Sequence, residues 1–200
     1  MYTADSFRLE NQVAVITGAG AGIGRAIAET FAAAGASVVV SDRDLVAAEA
    51  VAKGIQSSGG KAAAIACDVT QENDLTGLVA GTVQQFGKLT ILVSNAGGGG
   101  PKPFDMPMED FRRAYDLNVF SLFRLAQIAA PEMEKAGGGA VLAITSMAGE
   151  NKNKRMAHTD HLKLPLITSF VTSPLILAPK AFESMALLQV PLAPMHLSRF

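Results

Sequence analysis

Thr17-Gly18-Ala19-Gly20-Ala21-Gly22-Ile23-Gly24-Arg25-Ala26-Ile27-Ala28 follows the run Val13-Ala14-Val15-Ile16 and leads into an alanine-rich stretch. A short apolar run without polar alternation suits a strand buried on both faces, and the segment after the glycines has helical character. Strand, glycine turn and helix is the local reading. Glycines at 18, 22 and 24 remove Cβ atoms that would hold the backbone away from a ligand. The first N–H groups of the helix lack intrahelical partners and suit a pyrophosphate. The pattern points to a phosphate-bearing cofactor, with a tight turn that binds nothing as the alternative. About 18 residues past Gly24, Ser37-Val38-Val39-Val40-Ser41-Asp42 supplies a second buried strand ending in an acid. Asp42 reads as a ligand for a ribose 2′-hydroxyl or as a loop-capping carboxylate. In the first role it repels a 2′-phosphate and favours NAD over NADP, a preference that Arg25 and Arg43 weaken.

The 200 residues fit one domain, and 49% hydrophobic content indicates a globular chain with a sizeable core. A net charge of −1 and an isoelectric point near 6.3 leave no basic footprint, so nucleic acid is not an expected partner. The single cysteine, Cys67, excludes an internal disulfide, fits a reducing cytosol and is expected to pack in the core. Met1 to Arg8 contains no apolar secretion segment, and a cytoplasmic location is expected.

The remaining chain alternates in the same way. Residues 43 to 57 read as an amphipathic helix, Lys61 to Ala66 as a third strand, 71 to 86 as a helix and Leu89 to Ser94 as a fourth strand. Cys67-Asp68-Val69-Thr70 falls at the carboxyl end of the sheet, where Asp68 reads equally as an adenine contact or a helix N-cap. Asn95-Ala96-Gly97 ends the fourth strand in small residues that leave room for a flat ring and ribose. A long helix from about Met108 to Lys135 carries Asn118 among Leu117, Val119 and Phe120, where an amide needs a buried partner or holds a water. Ala140 to Thr145 is a fifth buried strand, with Ser146 at its carboxyl end. The fold class expected is α/β, a Rossmann-like doubly wound parallel sheet with five recognisable strands.

TGxxxGIG at 17 to 24, Asp42, Asp68, NAG at 95 to 97, Asn118 and Ser146 together resemble the short-chain dehydrogenase/reductase family. The runs GGGGPKPFDMP and FRRAYDLNVF, with TSMAGENKN at 145 to 153, are similar to its bacterial 7α-hydroxysteroid dehydrogenases. The resemblance covers residues 8 to about 157. It implies an NAD-dependent oxidoreductase acting on a secondary alcohol or ketone, here a steroid or bile acid. It also implies cofactor contacts from Gly18, Gly22, Ile23, Gly24, Asp42, Asp68, Val69, Asn95, Ala96 and Gly97. By the same resemblance a tyrosine exchanges the proton, a lysine four residues later lowers its pKa and holds the nicotinamide ribose, Ser146 orients the substrate oxygen and Asn118 supports a water relay. An unperturbed tyrosine has a pKa of about 10 and needs such a cationic neighbour near neutrality. A homo-oligomer built on the helix at 108 to 135 is also implied.

The tyrosine is not there. Counted from Ser146 it belongs at position 159, which is Thr159, too short and too weak an acid to replace it. Lys163 keeps the lysine register, but within His158-Thr159-Asp160-His161-Leu162-Lys163-Leu164-Pro165. Beyond this point periodicity is lost and prolines stand at 165, 174, 179, 191 and 194. A one-base shift of reading frame accounts for the change. Codons CAT-ACG-GAT-CAT-CTA-AAG-CTG-CC for residues 158 to 165 contain, one frame over, TAC-GGA-TCA-TCT-AAA-GCT-GCC, or YGSSKAA. Ala181 to Pro191 likewise permits GIRVNGIAPGA, which resembles the family's next strand and cofactor-side loop. The expected division is therefore an incomplete dinucleotide-binding domain at 1–157 and an out-of-frame tail at 158–200. The tail is expected to form no domain, to leave a sheet edge, an apolar helix face and the oligomer interface incomplete, and to permit at best weak NAD binding without turnover. His158-x-x-His161 has metal-ligand spacing, but in an unselected segment no metal is expected. Leu164 to Pro179 is apolar but too short for a membrane span and is broken by Pro174.

Overall fold

The computed structural model describes residues 7–98, 105–146 and 184–190. Five strands stand where the sequence places them: β1 (Val13–Thr17), β2 (Ser37–Asp42), β3 (Lys61–Ala66), β4 (Ile91–Ser94) and β5 (Ala140–Ser146). Between them lie α1 (Gly22–Ala33), α2 (Leu45–Ser57) and α3 (Glu72–Phe86). The long helix at 108 to 135 is α4 (Met108–Tyr115), a π-helical turn (Asp116–Phe120) and α5 (Ser121–Lys135) in succession.

All the strand pairs are parallel, in the order β3-β2-β1-β4-β5-β6. The strand order reverses between β1 and β4, so a crevice opens there at the carboxyl ends of the strands. The two-residue period of each strand divides the core into two layers. Val15, Val39 and Leu92 point to one face and pack with Leu75, Leu78, Leu122 and Leu125 of α3 and α5. Ala14, Ile16, Val38 and Val40 point to the other and pack with Ala28, Ala48, Val51 and Ile55 of α1 and α2. Covered on both sides, the central strands are mostly apolar, which is why they read as continuous runs. Each fully buried Leu, Ile or Val contributes roughly 1.5–3 kcal/mol of burial free energy.

The departure from expectation is the edge beside β5. It is not open: β6 (Ser184–Val190) pairs in parallel along it from Ala140↔Ser184 to Ser146↔Val190. Ladder pairing is made by backbone groups and asks for a proline-free stretch of strand length more than for a particular sequence. Ser184-Met185-Ala186-Leu187-Leu188-Gln189-Val190 is such a stretch, lying between Pro179 and Pro191. The tail thus contributes a strand that its loss of periodicity concealed. Among the described residues no helix is long and apolar enough to cross a membrane.

Candidate functional site

The carboxyl ends of β1 to β4 open into one cleft of about 850 Å³, and Gly18, Asp42, Arg43, Cys67, Asp68 and Val69 form one side of it. Asn95, Ala96, Gly97 and Gly98 form its floor, and Arg113, Asp116 and Leu117 close the far side. Seven of the ten residues expected to contact a cofactor are brought together here. Gly22, Ile23 and Gly24 do not line it; they open α1 after Ala21, an N-cap in extended conformation that makes no side-chain cap. Ile23 is 41% exposed there.

The three glycines divide by role. Gly18 and Gly22 have φ of 62° and 56°, the left-handed region that favours glycine. A Cβ on Gly18 would stand 2.9 Å from Ala96 Cα, and one on Gly24 would stand 2.3 Å from Gly18 O and 2.5 Å from Asn95 Nδ2. These two let the turn, α1 and the end of β4 pack together. At Gly22 a Cβ would meet nothing within 4 Å. Gly22 is therefore the glycine at which open space adjoins the backbone. Its position at the start of α1, beside uncapped N–H groups, suits a phosphate group.

Thr17, to which the sequence reading gave no separate role, holds the floor in place. Its buried Oγ1 accepts from the N–H groups of Asn95 (3.1 Å) and Ala96 (3.0 Å). In return Asn95 Nδ2 donates to Thr17 O (2.9 Å) and Gly18 O (3.0 Å). The Asn95 side chain is thus spent on joining the glycine turn to β4 across the strand-order reversal. The readable signal was two polar residues ending adjacent buried strands, each of which must find a partner.

Both alternatives for Asp42 have a geometric counterpart. Its carboxylate accepts from Gly20 N–H (2.9 Å) and Asp44 N–H (3.1 Å), which caps the turn, and it also lines the cleft. Asp68 does not cap α3, whose N-cap is Gln71. Asp68 Oδ1 instead accepts from the N–H (2.9 Å) and hydroxyl (2.7 Å) of Thr70, while its own N–H donates to Asp74 Oδ2 (2.9 Å). Those Thr70 bonds, the backbone one foremost, hold the Asp68 carboxyl below its ordinary value. A carboxyl shifted this way stabilises the fold above the ordinary carboxylate range, and the contribution is lost as pH falls through its lowered pKa.

Cys67 packs in the core as expected and also borders the cleft. Burial first, then nearby Asp74, pushes its thiol up to about 12, so it is protonated near neutrality. Alkylation by iodoacetamide at about pH 8 is expected to be at least ~10²-fold slower in the native chain than in urea. Equal rates in the two states would show that Cys67 is not held in a buried, protonated form.

Asn118 is 4% exposed and lies on the π-helical turn. Its Oδ1 accepts from Gly98 N–H (3.1 Å), and its Nδ2 donates to Gly98 O (2.9 Å) and Ala114 O (2.9 Å). Both amide hydrogens are occupied, so the second lone pair of Oδ1 is what it offers a water. The amide tethers the end of the Asn95–Gly98 floor to the helix. Ser146 is the last residue of β5, at the same sheet edge as the cleft. Thr159, Lys163, His158 and His161 lie outside the described residues.

Residues 12–158 match the family model for short chain dehydrogenase. The chain belongs to the short-chain dehydrogenase family. It is 62% identical over 156 residues to the 7α-hydroxysteroid dehydrogenase of Escherichia coli strain K12, a match covering 78% of this chain and 61% of that protein. The chain thus spans under two thirds of the length of that relative. A solved 7α-hydroxysteroid dehydrogenase complexed with NADH and 7-oxo glycochenodeoxycholic acid superposes with a TM-score of 0.85 at 52% identity, over 94% of this chain and 73% of the other. A short-chain type dehydrogenase/reductase from Mycobacterium marinum does so with a TM-score of 0.83 at 36% identity, over 91% and 75%. The Rossmann-like sheet expected from the sequence is therefore that of its family.

Proposed function

We propose that the segment up to residue 157 is the NAD-binding part of a 7α-hydroxysteroid dehydrogenase, and that the 200-residue chain holds the dinucleotide without turning substrate over. The observation carrying this reading is the convergence of Gly18, Asp42, Asp68 and Asn95 to Gly98 on one cleft at the strand-order reversal. Gly22 and the uncapped N–H groups of α1 would hold the pyrophosphate, Asp42 the adenosine ribose, and Asp68 with Val69 the adenine. When bound, NAD supplies the hydride acceptor. The Asp42 carboxylate repels a 2′-phosphate, which favours NAD over NADP.

Oxidation of the substrate also needs a base for the hydroxyl proton. By the family resemblance Ser146 would orient that oxygen, and Asn118, bonded to Gly98, would steady the floor and a water beside it. Neither ionises near neutrality, and the chain's two tyrosines are Tyr2 and Tyr115. The substrate class, a 7α-hydroxy bile acid, is supported by the 62% identity to the E. coli enzyme. The frame-shift reading is supported by the end of the family match at residue 158, the codon at which the shifted frame begins. On this reading the tail adds β6 but no tyrosine. A family-type oligomer would use α4 and α5, and on the frame-shift reading the tail leaves the rest of that interface incomplete.

Titration with NADH, followed by nicotinamide fluorescence, tests the reading. The chain is expected to bind NADH and to give no NAD reduction with a 7α-hydroxy bile acid. Asp42→Ala is expected to weaken NADH by about 10- to 100-fold, the worth of about one charge-assisted hydrogen bond. No binding by the unaltered chain would sink the cofactor assignment, and steady turnover at the mass of these 200 residues would sink the non-catalytic one.

A further inference from the structure

Gly20 stands in the middle of the turn yet is absent from the glycines of positive φ, so its own conformation does not call for glycine. Asp42 does. The Gly20 N–H donates to Asp42 Oδ2 at 2.9 Å and the Asp44 N–H to Oδ1 at 3.1 Å, so one backbone amide holds each carboxylate oxygen. A Cβ at position 20 would lie 3.0 Å from that Oδ2, 3.1 Å from Asp42 Cγ and 2.9 Å from the Cβ of Ala47 in α2. Ala47 has little room to yield: its N–H is capped by Asp44 at 3.1 Å, and the next residue, Ala48, is wholly buried. The 2.9 Å contact is relieved only by a small shift of the turn or of α2, whereas the carboxylate gives way by turning about its own side-chain torsions.

We infer that Gly20 is a positioning residue that aims the Asp42 carboxylate and thereby sets the preference for a dinucleotide with a free ribose 2′-hydroxyl over one bearing a 2′-phosphate. The inference rests on the proposed dinucleotide reading of the cleft. An acceptor held in one plane by two amides keeps lone pairs in a fixed direction for vicinal hydroxyls, and the same fixed charge opposes a phosphate. Turning it aside loses both effects at once. Arg43, exposed beside it on the same cleft, then faces the phosphate with less opposition. Selectivity is a difference of two affinities, and here both move in the same direction.

The test is titration of the full chain with NADH and NADPH for the unaltered protein, Gly20→Ala, Asp42→Ala and the double variant. Gly54→Ala, in α2 where a Cβ meets nothing within 4 Å, is the control. Gly20→Ala is expected to lower the NADH:NADPH affinity ratio about tenfold, and Gly54→Ala to leave it unchanged. In the Asp42→Ala background, adding Gly20→Ala is expected to change the ratio by less than about twofold, because the two residues act as one unit. An unchanged ratio in Gly20→Ala, or an equal loss with Asp42 removed, overturns the inference while leaving the cofactor reading intact. No NADH binding by the unaltered chain overturns the reading itself. If melting shows that Gly20→Ala is unfolded, Gly20→Ala/Ala47→Gly relieves the helix contact, keeps the one with Asp42, and is judged by the same ratio.

Discussion

Insertion of one base between the codons of Ala157 and His158 is expected to raise bile-acid 7α-dehydrogenase activity by at least about 10²-fold, from the background of the 200-residue chain, since positioned general acid–base catalysis is worth roughly 10²–10⁴-fold. On the frame-shift reading proposed above, the restored frame permits a tyrosine at position 159 and a lysine at 163, where Thr159 and Lys163 now stand. A threonine hydroxyl cannot give up its proton near neutrality. A tyrosine, with a pKa of about 10, can do so once a lysine ammonium stabilises its phenolate. On the same reading the insertion permits GIRVNGIAPGA at 181–191. Activity with NAD and a 7α-hydroxy bile acid, measured beside intact mass and the gene sequence across codons 157 to 163, checks the prediction. If the restored chain folds and binds NADH but is no more active than the present one, the catalytic reading of positions 159 and 163 is wrong.

Gly24→Ala is expected to destabilise the fold by about 3 kcal/mol and to abolish NADH binding. Alanine in place of a helical glycine gains up to ~1 kcal/mol of propensity. Against that, the new Cβ would lie 2.3 Å from Gly18 O and 2.5 Å from Asn95 Nδ2, the two atoms that join one of the bonds locking the turn to β4. Overpacking costs about 1–3 kcal/mol and a broken buried hydrogen bond a further ~1–3, so the losses outweigh the gain. Gly54→Ala supplies the contrast, because its Cβ meets open space and propensity acts alone. Urea unfolding of the two variants reads the difference, and equal midpoints would show that Gly24 is not pinned against Gly18 and Asn95.

Much of the fold was legible in residue types because the central strands β1, β2, β4 and β5 are largely buried on both faces. Val13 to Ile16, Val38 to Val40, Leu92 with Val93, and Val141 onward must then be apolar throughout, and the turns between them carry glycine or capping residues. The long helix was readable as one element, but its π-helical turn was not. That turn is what allows Asn118 to face Gly98, and nothing in Asp116-Leu117-Asn118-Val119-Phe120 states a backbone hydrogen-bond pattern. β6 was missed for a related reason: pairing with β5 is a backbone property of a proline-free run, and the expectation was drawn from side-chain pattern. Asp42, Asp68 and Asn95, named by position, line the cleft, while Thr17 and Gly20 were given no separate role. Their importance lies in partners distant along the chain.

The sequence by itself determined which residues end neighbouring strands, and so which share the carboxyl edge of the sheet. It also determined that no tyrosine stands at position 159. Only the tertiary structure decided what those residues touch. Asp42 meets Gly20 across 22 residues of chain, Asn118 meets Gly98 across 20, and Asn95 meets Thr17 across 78. Strand order and helix packing bring such pairs together, and a hydrogen bond depends on angles and on distances to a few tenths of an ångström. Local residue type specifies a group's capacity to donate or accept, whereas its partner is set by the fold around it.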